Sequence, residues 1–212
     1  MNPAKPILYS FRRCPYAMRA RMALAITNIA VEHREVSLKN KPSAMMVVSP
    51  KGTVPVLVIN DQTVLEESRD IVDWAFTQSP QPDWTRSDSI PKTADIADLI
   101  KECDDDFKPR LDQYKYLDRS PRHNQEYYRN RAMNFIEKLD RRLTSAQFLI
   151  DDRASVADIC VMPFIRQFAG VDSDWFNSVH LQHVKRWLHI WLDSDLFQSI
   201  MQKHPLWQPD AR

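Results

Sequence analysis

The sequence predicts an α/β domain followed by an all-α domain, and three observations carry that expectation. Up to Gln78, short β-rich runs alternate with stretches whose apolar residues recur at helical steps of three and four. A polar, proline-rich stretch over 79–91, "SPQPDWTRSDSIP", then interrupts the pattern, and it cannot continue a helix. Beyond it no convincing strand pattern remains.

The elements follow in order. "KPILYSF" is a short strand, and the chain after Cys14 reads as a helix with Met18, Met22, Ala25 and Ile26 on one face. "VEHREVSL" alternates as a second strand, and "KPSAMMVVSP" is a short helix closed by Pro50. "VPVLVI" and "TVLEE" are two strands at hairpin distance across the polar turn "NDQ". "SRDIVDWAFTQ" completes the set as a helix with Ser68 at its N-cap and Ile71, Trp74 and Ala75 on one face. The order is βαβαββα. Residues 1–78 are therefore expected to form the α/β domain, 79–91 the linker and 92–212 the helical domain, with helices over 92–117, 125–143, 156–168 and 180–192. "SVAD" predicts a capping box between Ser155 and Asp158 at the third of these. His183, Trp187 and Trp191, at steps of four, read as packing on the last.

Composition narrows the function classes. The 212 residues are 43% hydrophobic and 27% charged, the balance of an ordinary soluble globular protein. A net charge of +1 supplies no overall field toward nucleic acid or an anionic membrane, so neither is expected as a partner. The opening "MNPAKPILYS" lacks the apolar core of a signal peptide, and "ICVMPFI" is far too short to span a membrane, so a cytoplasmic location is expected. Three widely spaced cysteines fit a reducing compartment better than a disulfide framework, and no Cys/His cluster has zinc-site spacing, so no metal is expected. With only two glycines, the chain has neither a phosphate-binding P-loop nor a dinucleotide fingerprint.

One cysteine stands apart from the other two. Cys14 precedes Pro15, a residue suited to the first position of a helix, which puts the sulfur at the N-cap. There the free N–H groups of Tyr16 and Ala17 and the helix dipole favour a thiolate, lowering the thiol from its free value of about 8.5. Arg12, Arg13 and Arg19 add positive charge nearby, while Ala17 stands where a C-x-x-C pair would have its second cysteine. Cys160 reads as core packing, and Cys103, beside "DDD", sits among charges that disfavour a thiolate. Pro55 in "GTVPVLV" marks a strand edge or turn. A cis Val54–Pro55 bond would free the Val54 backbone for a ligand, although trans is the ordinary X–Pro form. Glu67 can accept from an ammonium group and Ser68 can donate to a carboxylate at a helix N-terminus. The same pair also reads as a surface acid followed by an ordinary N-cap.

Together, the βαβαββα order, "CPYA", "LKNKP", "TVPVL", "EES" and an all-α second half resemble the cytosolic glutathione transferases over nearly the whole chain. The motifs are most similar to the omega-like and bacterial cysteine-containing classes. The resemblance implies a thioredoxin-like first domain, glutathione as co-substrate and a homodimer. It further implies that Cys14 forms a mixed disulfide with glutathione, that Tyr16 lines the pocket and that Lys41 reaches the glycyl carboxylate. Val54, before a cis Pro55, would pair with the cysteinyl backbone, and Glu67 and Ser68 would hold the γ-glutamyl head group. The expected activity is glutathione-dependent thiol transfer or reduction of dehydroascorbate, a disulfide or a glutathionyl compound. The alternatives are conjugation of glutathione to electrophiles, with Tyr9 as the activating hydroxyl, and a non-catalytic binding or regulatory protein of the same fold.

Overall fold

The computed structural model describes residues 5–117 and 122–208; the expected domain ranges also take in 1–4, 118–121 and 209–212, which lie outside the described residues. The first unit contains β1 (Ile7–Ser10), α1 (Pro15–Ile26), β2 (Glu32–Glu35), α2 (Ser43–Val48), β3 (Val56–Asn60), β4 (Thr63–Leu65) and α3 (Ser68–Gln78). The βαβαββα order is therefore present. The strands lie in the order β2-β1-β3-β4, with β1 parallel to β2 and antiparallel to β3, and β4 antiparallel to β3. This is a mixed thioredoxin-like sheet.

Tyr9 lies between Arg34 of β2 and Val56 of β3 in register and is 2% exposed. It belongs to a core with Val36, Met45, Val54 and Val56. α1 is buried over most of its surface, not along a single stripe. Met18 and Met22 are fully buried as expected, but so are Ala17, Ala20 and Ala23, while Ala25 is exposed. The reason is that α1 packs against both α3 and a further helix, α11 (Asp195–Ile200), which the sequence reading did not foresee.

Contacts divide the described chain differently from the expected domains. The first compact unit is Met1–Gln81 with Ser194–Arg212, and the second is Pro82–Asp193. The C-terminal segment thus packs with the α/β unit instead of with the helices. Beyond α11 its Trp207 N–H donates to the Glu35 carbonyl oxygen at 2.8 Å, alongside a parallel bridge between Leu206 and Glu35. Backbone pairing to the edge of β2 left no periodic signal in so short a stretch.

The second unit holds α4 (Pro82–Thr85), α5 (Ile90–Glu102), α6 (Lys108–Lys115), α7 (Gln125–Arg142), α8 (Val156–Ala169), α9 (Ser173–Ser178) and α10 (Gln182–Leu192). The expected single helix over 92–117 is two helices joined by a π-turn at Cys103–Phe107. Pro109 explains the break, because it has no N–H to give and its ring crowds the carbonyl four residues earlier, which a π-turn relieves. The expected linker is also not featureless. Arg86 within it adopts φ 53° and is 1% exposed, with its guanidinium donating to both Asp151 oxygens at 3.0 and 2.7 Å. Asp158 is fully buried and closes the predicted capping box, accepting from Ser155 N at 2.9 Å and Ser155 Oγ at 2.7 Å. Trp187 of α10 donates its indole N–H to the same carboxylate at 2.8 Å, which is why it is core and not a ligand. Among the described residues no helix is long and apolar enough to cross a membrane.

Candidate functional site

Cys14 is the N-cap of α1, with φ −73° and ψ 122°, and Pro15 follows at the first helical position. Its backbone C=O already accepts from Met18 N–H at 2.9 Å, so the helix begins beneath the sulfur, which is partly exposed. The positive end of the α1 dipole is thus directed at this atom. The thiol donates to the Val54 carbonyl oxygen at 3.6 Å, and the Val54–Pro55 bond is cis. Cys103 and Cys160 are fully buried.

Cys14 opens into a cavity of about 490 Å³, and the structure brings all seven sequence-predicted site residues to its wall: Cys14, Tyr16, Lys41, Val54, Pro55, Glu67 and Ser68. They arrive from the start of α1, the loop before α2, the turn into β3 and the start of α3. Leu38, Lys51, Gly52, Thr53 and Glu66 also line it, and the sequence reading did not single them out. One signal for them was available. Gly52, one of only two glycines, directly precedes "TVP", and it adopts φ 63°. That left-handed backbone is what calls for glycine here, and a β-carbon would also lie 3.2 Å from the movable end of the Met46 side chain.

Two details of the α3 end correct the expectation. The N-cap is Glu67, at φ −108° and ψ 137°, and Ser68 is the first helical residue. Ser68 therefore offers its hydroxyl and a free first-turn N–H group, not a cap. Glu67 is not free in this state, because its carboxylate pairs with Lys51 Nζ, and that hydrogen bond raises the lysine above its ordinary value. Both side chains are well exposed, so the pair is weakly held and a ligand's charges can displace it. Glu66 is held in place by Ser49 Oγ, which donates to it at 2.5 Å. With Lys41 and Lys51 against Glu66 and Glu67, the wall presents both signs of charge around a thiol. That is the complement of a small zwitterionic, multiply charged thiol or disulfide.

Tyr9 does not share this cavity. Its hydroxyl accepts from Arg34 Nη1 at 2.8 Å, and its ring meets Trp207 edge-on at 6.0 Å. The hydroxyl is thus engaged by Arg34 while Tyr9 is absent from the cavity lining, so it is a packing group in this structure. Among the described residues no cluster of His, Cys, Asp and Glu could hold a metal ion.

Comparison with known proteins agrees with this fold. Residues 8–83 match the family model for the glutathione S-transferase N-terminal domain. A crystal structure of a glutathione transferase from Pseudomonas putida, with one glutathione disulfide bound per subunit, superposes with a TM-score of 0.79 at 19% identity, covering 95% of this chain and 92% of that one. Residues 8–83 thus match a glutathione S-transferase N-terminal domain, and the chain has the glutathione S-transferase fold.

Likeness to named relatives is broader in one direction than in another. Maleylacetoacetate isomerase of Mus musculus is 25% identical, over 100% of this chain and 97% of its own length. Glutathione S-transferase omega-2 of Rattus norvegicus is 39% identical, but over 61 residues, 29% of this chain and 25% of its own. The sequence likeness to this omega-type relative thus covers a short stretch, whereas the likeness to the maleylacetoacetate isomerase runs along the full length.

Proposed function

We propose that this protein is a glutathione-dependent thiol transferase acting through a mixed disulfide on Cys14. The observation that carries the reading is the Cys14 sulfur at the N-cap of α1, opening into the same cavity as Lys41, Val54, Glu67 and Ser68. In this reading Lys41 meets the glycyl carboxylate of glutathione and the Val54 backbone pairs with its cysteinyl unit. Glu67, released from Lys51, accepts from the γ-glutamyl ammonium, while Ser68 donates to the neighbouring carboxylate. Tyr16 closes the cavity beside the sulfur.

Thiol–disulfide exchange then runs in two balanced steps. The Cys14 thiolate attacks the glutathione sulfur of a mixed disulfide, forming the Cys14–glutathione bond as the substrate sulfur leaves with the electron pair and takes a proton. A second glutathione thiolate attacks the bound glutathione sulfur, releasing glutathione disulfide and restoring the Cys14 thiolate. Ala17, where a resolving cysteine would stand, leaves this second step to free glutathione. By the same reading the protein is a cytoplasmic homodimer.

A second reading is supported by full-length similarity to maleylacetoacetate isomerases. In it the cavity holds glutathione for an isomerisation, and no covalent bond to Cys14 is needed. Turnover of a small mixed disulfide by reduced glutathione separates the two. Thiol transfer is abolished by Cys14→Ala, whereas an isomerase or conjugating enzyme keeps its own activity in that variant.

A further inference from the structure

Arg21 is a buried cation that neither the cavity nor the helix core explains. It is 6% exposed, and its guanidinium makes four contacts outside its own helix. Nη1 donates to Ser10 Oγ at 2.6 Å and to the Phe11 carbonyl at 3.4 Å, and Nη2 donates to the Arg12 carbonyl at 2.8 Å. Nε donates to the Ile200 carbonyl at 3.0 Å. One of these contacts falls on the last residue of β1 and two on the turn that leads from it to Cys14. The fourth ties that turn to the end of α11.

The same turn is held from its other side. Glu35, 7% exposed, accepts the Arg12 backbone N–H on Oε1 at 2.7 Å, and its Oε2 lies 3.1 Å from His33 Nε2. His33 stacks on His204 at 4.2 Å, and the Glu35 carbonyl receives Trp207 N–H, so the C-terminal segment anchors this side as well. Arg12 is thus gripped at its carbonyl by a cation and at its N–H by an anion, two residues from the reacting sulfur. We propose that Arg21 and Glu35 are positioning residues for Cys14, fixing the turn that sets the sulfur at the mouth of the cavity.

Their charges have opposite consequences. Burial lowers Arg21 to about 10, with the charges of Glu35 and Cys14 opposing, so it remains a cation at neutral pH. It favours a thiolate on Cys14, and Glu35 disfavours one. The other charged groups near the sulfur are Arg12 and Arg13 on its own turn, and Lys41, Lys51, Glu66 and Glu67 on the cavity wall, where Lys51 and Glu67 offset each other. Arg21→Gln and Glu35→Gln each remove one charge and leave the charges of these groups in place.

The inference rests on Cys14 being the reacting thiol, and its test does not need glutathione. The rate of Cys14 alkylation by iodoacetamide is followed by intact mass across pH in the wild type, Arg21→Gln and Glu35→Gln. The Gln at 35 can still accept the Arg12 N–H. The midpoint of the profile is expected to rise by about half a unit or more in Arg21→Gln and to fall by a similar amount in Glu35→Gln. Unchanged midpoints, or shifts of the same sign in both variants, overturn the proposal, because loosening of the fold alone gives no opposed pair. If Arg21→Gln fails to fold, Glu35→Gln decides alone, a downward shift supporting the proposal and no shift overturning it. A wild-type Cys14 that takes iodoacetamide but never a glutathionyl group defeats the thiol-transfer reading and leaves this test standing.

Discussion

Asp158 gives the most fully determined stability prediction. Its buried carboxylate accepts four hydrogen bonds, from Leu149 N at 3.0 Å and Trp187 Nε1 at 2.8 Å on one oxygen, and from Ser155 N and Ser155 Oγ on the other. Asp158→Asn keeps the shape and the first oxygen, so Leu149 and Trp187 remain satisfied. The new NH2 group then faces the Ser155 N–H, donor against donor, while the Ser155 hydroxyl can turn to accept. The loss is one buried charge-assisted bond, about 1.5–3 kcal/mol, plus the weakening of the remaining bonds once the charge is gone. A total near 3 kcal/mol is about 6–12 °C in Tm for a chain of this size. Asp158→Ala strips all four donors, about 6 kcal/mol at the low end, comparable to the whole stability of many domains. Urea unfolding followed by tryptophan fluorescence measures both, since Trp187 is itself a donor to the carboxylate. An Asn variant within about 1 kcal/mol of the wild type would refute the assignment of Asp158 as the joint between α8 and α10.

Two further outcomes follow from the same contacts. Hydrogen bonding from Arg86, with a smaller contribution from Lys92 and against some burial cost, holds the Asp151 carboxyl well below the usual carboxylate range. Its folded value is depressed, so the stabilisation is present above the free carboxyl value and is lost as pH falls below about 4. Asp151→Asn should cost about 3–5 kcal/mol at neutral pH by stranding buried Arg86, and urea midpoints should show that difference shrinking toward pH 3. Tyr9→Phe removes only the hydroxyl bound to Arg34. It should cost about 1 kcal/mol of stability and leave glutathione-dependent turnover within about twofold of the wild type, whereas loss of turnover with stability retained would return Tyr9 to the site.

The first unit was legible because its signals are local. Alternation, the Cys-Pro pair and the turn residues each act within a few positions, and they place Cys14 at a helix N-terminus before any tertiary contact is known. The seven site residues could be named through resemblance, but composition alone favoured a trans Pro55 and left Glu67 as a surface acid. Lys51 was missed because a lysine beside a glycine has no signature until the turn into β3 brings it to Glu67. What stayed hidden is what depends on distant partners. Arg86 is buried in a segment whose composition reads as linker because Asp151, far along the chain, receives it. The C-terminal segment belongs to the α/β unit because Glu35 and Arg21 bind its backbone, and backbone pairing leaves no mark on side-chain pattern.

The central claim is that Cys14 carries glutathione. Reduced protein is incubated with glutathione disulfide and its intact mass recorded, for the wild type and for Cys14→Ala. The account predicts a single glutathionyl adduct on the wild type that vanishes on adding reduced glutathione and is absent from the variant. Glutathione binding without any adduct, or an adduct that survives in Cys14→Ala, would contradict it.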